Sequence, residues 1–197
     1  MRFVLLSPTR PLRFAPPLLH SVPFRLPNDD EKKLFAALSV FVGGWTLEAA
    51  EVVCSAELRE LESLLEKSLI REMIGAGDET RFMMLETIRE YALEKLTPER
   101  ETVCNAHAAY YVDLAGRNDS ETLQRLNDQS LMLAQLSAEH ENFYAAFEWL
   151  LNSGQGAEVL KAGAALWRFW LITGRAPRGV ALDETRAGSC PECVAAT

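Results

Sequence analysis

The chain has 197 residues, 48% of them hydrophobic, 20 basic against 28 acidic and a formal charge of -8. That is enough material for one domain or two small ones with a real core. Charged residues interrupt every apolar run well before the roughly 18 residues a membrane span needs. An acidic surface also repels a phosphate backbone unless a local basic patch reverses it.

The charge is unevenly spread. Residues 1–28 hold Arg2, Arg10, Arg13 and Arg25 with no Asp or Glu, which leaves 28 acidic against 16 basic residues for the rest. Pro8, Pro11, Pro16 and Pro17 break any helix there, so 1–28 reads as a disordered, basic leader with no hydrophobic targeting segment. Cys54 and Cys104 stand alone, and Cys190 and Cys193 form C-P-E-C. This is no secreted disulfide framework, and the cytoplasm is the expected compartment.

The first helix is expected from Asn28, with Glu31 completing a capping box, to about Phe41. Leu34, Leu38 and Phe41 face inward, and Glu31, Lys32 and Lys33 face solvent. Gly43-Gly44 ends it. Thr46 is placed to cap a short helix, Leu47 to Cys54, and a third helix runs from Glu57 to Lys67 with Leu58, Leu61 and Leu65 inward.

The pattern then changes to two strand-like runs, 68–74 and 80–84, flanking Gly75-Ala76-Gly77-Asp78-Glu79, a loop suited to a β-hairpin. Leu85 to Leu96 returns to helical spacing before Thr97-Pro98 stops it. Helix, helix, helix, hairpin, helix is the order of a winged helix.

From Glu99 onward the reading is all helical. Val103, His107, Tyr110, Tyr111 and Leu114 share one face, a short helix is expected near Glu121 to Leu126, and a longer one from Leu131 to Leu151. The last spans Gly156 to Thr173, with Val159, Gly163, Leu166 and Trp170 aligned and Trp167, Phe169 and Trp170 filling space against a neighbour. The fold expected is mostly α: a leader at 1–28, a winged helix at 29–96, tetratricopeptide-like hairpins at 97–176 and a disordered tail at 177–197.

No Gly-rich loop precedes a Lys-Ser or Lys-Thr pair, so the phosphate cradle of a nucleotide hydrolase is missing. His20, His107 and His140 are far from one another and from any cysteine at metal-ligand spacing. No catalytic residue, metal site or cofactor is assigned. A zinc enzyme using Cys190, Cys193 and a histidine is a rival that metal analysis would settle.

A winged helix ordinarily lays its third helix in the DNA major groove. Here that helix carries Glu57, Glu60, Glu62 and Glu66 against Arg59 and Lys67, and the wing offers Asp78 and Glu79 against Arg71 and Arg81. Protein contact is therefore the expected role. DNA binding through Arg59, Lys67, Arg71 and Arg81 is the alternative.

The segments LFAALSVFVGGWTLEAAEVVC, LESLLEKSLI, RFMMLETIREYALEKL, AHAAYYVDLA, LSAEHENFYAAFEWLL and ALWRFWLITGR, in this order, resemble the region that follows the ATPase module in bacterial STAND regulators of the LuxR and AfsR types. The likeness covers about residues 28–176. It implies a winged helix packed on an ATPase module, in cis or in trans, with helical repeats that meet a protein partner, ATP or ADP entering only through that module. Because the likeness starts after the leader and stops after Gly174-Arg175, the chain is expected to be a fragment truncated at both ends. Related eukaryotic STAND proteins place a Met-His-Asp nucleotide sensor where the wing meets the next helix. Met84, Leu85 and Glu86 stand there in this chain, and leucine cannot hydrogen-bond a phosphate.

Overall fold

The computed structural model describes residues 29–97, 99–117 and 129–174. These residues are mostly helical with a small three-stranded antiparallel sheet, a winged helix followed by helical hairpins. The leader with Asn28 and His20, the Pro98 stop, the helix expected near 121–126, and the tail with Cys190 and Cys193 lie outside the described residues.

Helix α1 spans Asp29–Ala37 and tightens into a 3-10 turn over Leu38–Val40, where the Ser39 hydroxyl donates to the Ala36 carbonyl at 2.6 Å. Helix α2, Leu47–Cys54, starts where its sequence demands: the Thr46 hydroxyl accepts the Ala49 amide at 3.2 Å. Helix α3, Leu58–Glu66, opens with a reciprocal Glu57/Glu60 capping box. Its inward face is Leu61 and Leu64, each fully buried and each adding about 1.5–3 kcal/mol of apolar transfer energy. Leu58, expected inside, is 52% exposed, because the buried face belongs to Leu61 and Leu64 at the helix middle. Glu31, expected in solvent, is buried: its carboxylate accepts from Ser63 Oγ at 2.7 Å and from Lys67 Nζ at 3.0 Å, tying α1 to α3.

Strands β2, Arg71–Ile74, and β3, Thr80–Met83, form the hairpin, with Glu72 opposite Phe82. A strand without a counterpart in the sequence pattern, β1 at Trp45–Thr46, pairs with the other edge of β3 and makes β3 central. Gly44, at φ +109, lets that strand approach: a Cβ there would stand 2.8 Å from the Phe82 carbonyl oxygen.

Helix α4 spans Glu86–Lys95 and α5 Arg100–Arg117. Ala92 and Leu96 are buried, whereas Leu85, the residue before α4, is partly exposed. The single helix expected over 131–151 is two, α6 at Gln129–Ala138 and α7 at His140–Asn152. The break falls on Glu139, whose amide bonds to Leu136 in a tighter turn and whose carboxylate is drawn inward to Arg81. Helix α8 occupies Gly156–Thr173, as its pattern predicts, and buries Val159, Ala162, Leu166 and Phe169. Trp167 is half exposed and does not fill the interior.

An aromatic column joins the two parts. Trp45 stacks on Phe41 at 5.3 Å, His107 meets Phe41 at 5.4 Å and Tyr111 at 4.7 Å, and Tyr111 meets Phe143 edge-on at 5.5 Å. Farther out, Phe147 meets Trp170 at 6.2 Å, and Trp149 Nε1 donates to Asn105 Oδ1 at 2.7 Å, fixing α7 on α5.

Candidate functional site

Three places among the described residues concern the candidate sites: the outer surface of α3 and the wing, the turn into α4, and a buried polar cluster between wing and hairpins. On the outer surface the carboxylates of Glu57, Glu62 and Glu66 are exposed. The four cations considered for DNA do not form a stripe. Arg59 is exposed and paired with Glu57 at 2.6 Å; Lys67 is turned to Glu31 at 3.0 Å; Arg71 is exposed on β2. Arg81 is 3% exposed, and its guanidinium binds Glu139 in the interior. Its side chain cannot reach a duplex, which corrects its place among the DNA-contacting candidates. The reason is its partners: the guanidinium meets Glu139 in the break between α6 and α7 and the Ala138 carbonyl at the end of α6.

At the turn into α4, Met84 is buried, and Leu85 precedes the helix in an extended conformation with no side-chain cap. Its carbonyl takes the Ile88 and Arg89 amides at 2.9 and 2.8 Å. Glu86 pairs with Arg89 at 2.6 Å, a hydrogen bond that lowers the carboxyl pKa and raises that of the guanidinium. Arg89 also donates to the Ser39 carbonyl at 3.2 Å, anchoring this turn to the end of α1. The polar group nearest the sensor position is therefore already engaged within the fold.

The buried cluster is built from Arg81, Tyr111, Glu139 and Asn142. Arg81 donates to one oxygen of Glu139, and the other accepts from the Tyr111 hydroxyl and from Asn142 Nδ2, both at 2.9 Å. Asn142 is fully buried and does two further things: Nδ2 donates to the Gly44 carbonyl at 2.8 Å and Oδ1 accepts the Val42 amide at 2.7 Å. One carboxylate thereby links β3, α5, α7 and the loop before β1. Burial and the facing Glu139 carboxylate hold the Tyr111 hydroxyl well above its usual range, so it stays a donor. Burial raises the Glu79 carboxyl as well, at the edge of the same cluster.

Nothing local marks Arg81 as interior, but Glu139 and Asn142 carry a signal. They follow Leu136 at intervals of three, so they fall on an apolar face where polar side chains need partners. His107, placed on an apolar face, is indeed buried; its pKa is pushed down to about 4 by burial, so it is neutral at physiological pH. No three His, Cys, Asp or Glu side chains among the described residues are grouped to hold a metal ion. No helix among them is long and apolar enough to cross a membrane. A groove of about 700 Å³ between α1, α4 and the start of α5, floored by Leu34, Leu96 and Val103, carries Lys33 and Lys95 beside Glu60 and Glu99, with no net charge to select a ligand.

No family model and no solved structure matches the chain. Among curated proteins, it is 35% identical over 151 residues to proteins of Mycobacterium bovis and Mycobacterium tuberculosis that bear the name "Putative HTH-type transcriptional regulator". The match takes in 73% of this chain and 17% of each relative, so the chain is similar to one segment of much longer transcriptional-regulator sequences.

Proposed function

We propose that the chain is a non-catalytic, signal-coupling segment of a STAND-type transcriptional regulator of the LuxR and AfsR kind, acting through protein contacts. The observation that carries the reading is the state of the cations on the winged helix. Arg59, Lys67 and Arg81 are each paired with a glutamate, and the face they would have to charge displays Glu57, Glu62 and Glu66. Such a surface has little to offer phosphate and suits a protein partner with complementary charge.

In this reading an ATPase module, in cis or in trans, holds ATP or ADP and packs against the winged helix near Leu85, Glu86 and Arg89. A change of nucleotide state then favours one arrangement of the contacts over another. The helical hairpins take a further protein partner, and α8 offers Leu160, Trp167 and Leu171 on its exposed side. The segment has no catalytic residue, metal or cofactor of its own, and works in the cytoplasm. Pull-down and gel filtration with a separately expressed ATPase module test this: co-elution that weakens on charge reversal at the exposed Glu86 is expected, and absence of association at micromolar concentrations contradicts it. The second reading, a stand-alone DNA-binding regulator, is favoured by the names of the mycobacterial relatives and by Arg71, which has no ion pair among the described residues.

A further inference from the structure

Several contacts join the winged helix to the hairpins, among them the Asn142 bonds to Val42 and Gly44 and the Arg117–Glu48 pair, and two of the others are unlike. One is the aromatic column, in which Phe41, His107 and Tyr111 pack α5 onto the turn after α1. The other is polar and lies between the wing and the turn that ends α6, where the Glu139 carboxylate is also held by Tyr111 of α5 and Asn142 of α7. Arg81 reaches from β3 to Glu139 at the end of α6 and donates also to the Ala138 carbonyl at 3.4 Å. At the wing tip Gly77, at φ +73, lies so close to α6 that a Cβ would stand 2.8 Å from Leu131 Cδ1.

These two contacts respond differently to perturbation. Aromatic packing leaves no charge behind when one of its members is withdrawn. A buried ion pair adds little over an apolar replacement, because desolvation offsets the Coulomb attraction, yet removing one partner leaves a stranded charge and costs far more. The seam is therefore rigid when complete and weak when one member is withdrawn. A cleft of about 190 Å³ lined by Thr46, Glu79, Tyr110 and Gln135 runs beside Arg81 and Glu139, so the pair borders space from which it can be disturbed. Helix α7 does not share this weakness, since Phe143 and Trp149 hold it on α5.

The geometry points to a latch: the Arg81–Glu139 pair fastens the wing to α6, and its opening releases the wing and α6 together while the three-helix core, α5 and α7 stay folded. This is a conformational step located within the chain, and it holds whether the outer surface meets protein or DNA.

Hydrogen exchange read by mass spectrometry on the whole chain tests it. Glu139→Gln keeps the shape and removes the charge; exchange over 71–83 and 129–138 is expected to rise in step, by ~100-fold or more, with α1, α3 and α5 changed less than ~3-fold. Arg81→Met and Glu139→Met each strand a charge, whereas Arg81→Met/Glu139→Met strands none, and its rise is expected to be far smaller than the product of the rises in those two single variants. Gly77→Ala leaves the pair intact but forces Leu131 aside, and is expected to raise exchange in the same two segments by ~3- to 10-fold. A uniform rise over all helices, a rise in one segment without the other, or additive behaviour of the double variant overturns the latch. Should the single variants fail to fold, Gly77→Ala decides the matter, by a rise in both segments or in only one.

Discussion

Replacing Asn142 by alanine tests the architecture at a fully buried polar residue. The side chain accepts the Val42 amide at 2.7 Å and donates to the Gly44 carbonyl at 2.8 Å and to Glu139 at 2.9 Å. The two neutral bonds contribute about 1 kcal/mol each, and the one to the carboxylate about 1.5–3 kcal/mol. Asn142→Ala removes all three and leaves the buried Gly44 carbonyl and Glu139 short of a donor, so the expected loss is roughly 3–5 kcal/mol. For a chain of this size that lowers the melting temperature by roughly 10 °C. Urea unfolding followed by far-ultraviolet circular dichroism measures the effect, and the slope should be unchanged because the native state stays compact. A loss below about 1 kcal/mol would show that water replaces the side chain at no cost and would refute the reasoning.

Two further outcomes follow from burial. His107 titrates at about 4 when folded against an ordinary value of 6.5, so between those pH values the unfolded chain binds a proton that the folded chain refuses. Stability should therefore fall as pH drops through this window, by about 3 kcal/mol in total, and His107→Leu should flatten that part of a urea-midpoint-against-pH curve. The Cys54 thiol is pushed up from 9.0 to about 12 by burial, so alkylation mapped by mass spectrometry at pH 8 should modify it at least ~100-fold more slowly in the folded chain than in urea. Equal rates would show that α2 frays at its end.

Local chemistry was sufficient for much of the fold. Thr46 is a cap wherever the following residues are helical, and the bounds of α2 and α8 follow from such short-range signals and from 3.6-residue spacing. The hairpin was equally legible, because a Gly-containing loop between two strand-like runs leaves few alternatives. What escaped depends on distant partners. Two residues, Trp45 and Thr46, are too few to show a strand period, and β1 exists because β3 offers it an edge. Arg81 looks like any surface arginine until Glu139 is placed opposite, and the break between α6 and α7 follows from that same pairing. The buried Glu31 is a third case, since Ser63 and Lys67 lie on another helix. Each of these depends on a partner more than thirty residues away, which no window of sequence can reveal.

The most direct test of the central claim is fluorescence anisotropy of labelled duplex DNA titrated with the whole chain at ionic strengths from 50 to 200 mM. An acidic winged helix that meets protein predicts no saturable binding up to about 100 μM at 150 mM salt, and no effect of Arg71→Glu. Binding that tightens steeply as salt is lowered, and that Arg71→Glu abolishes, would contradict it.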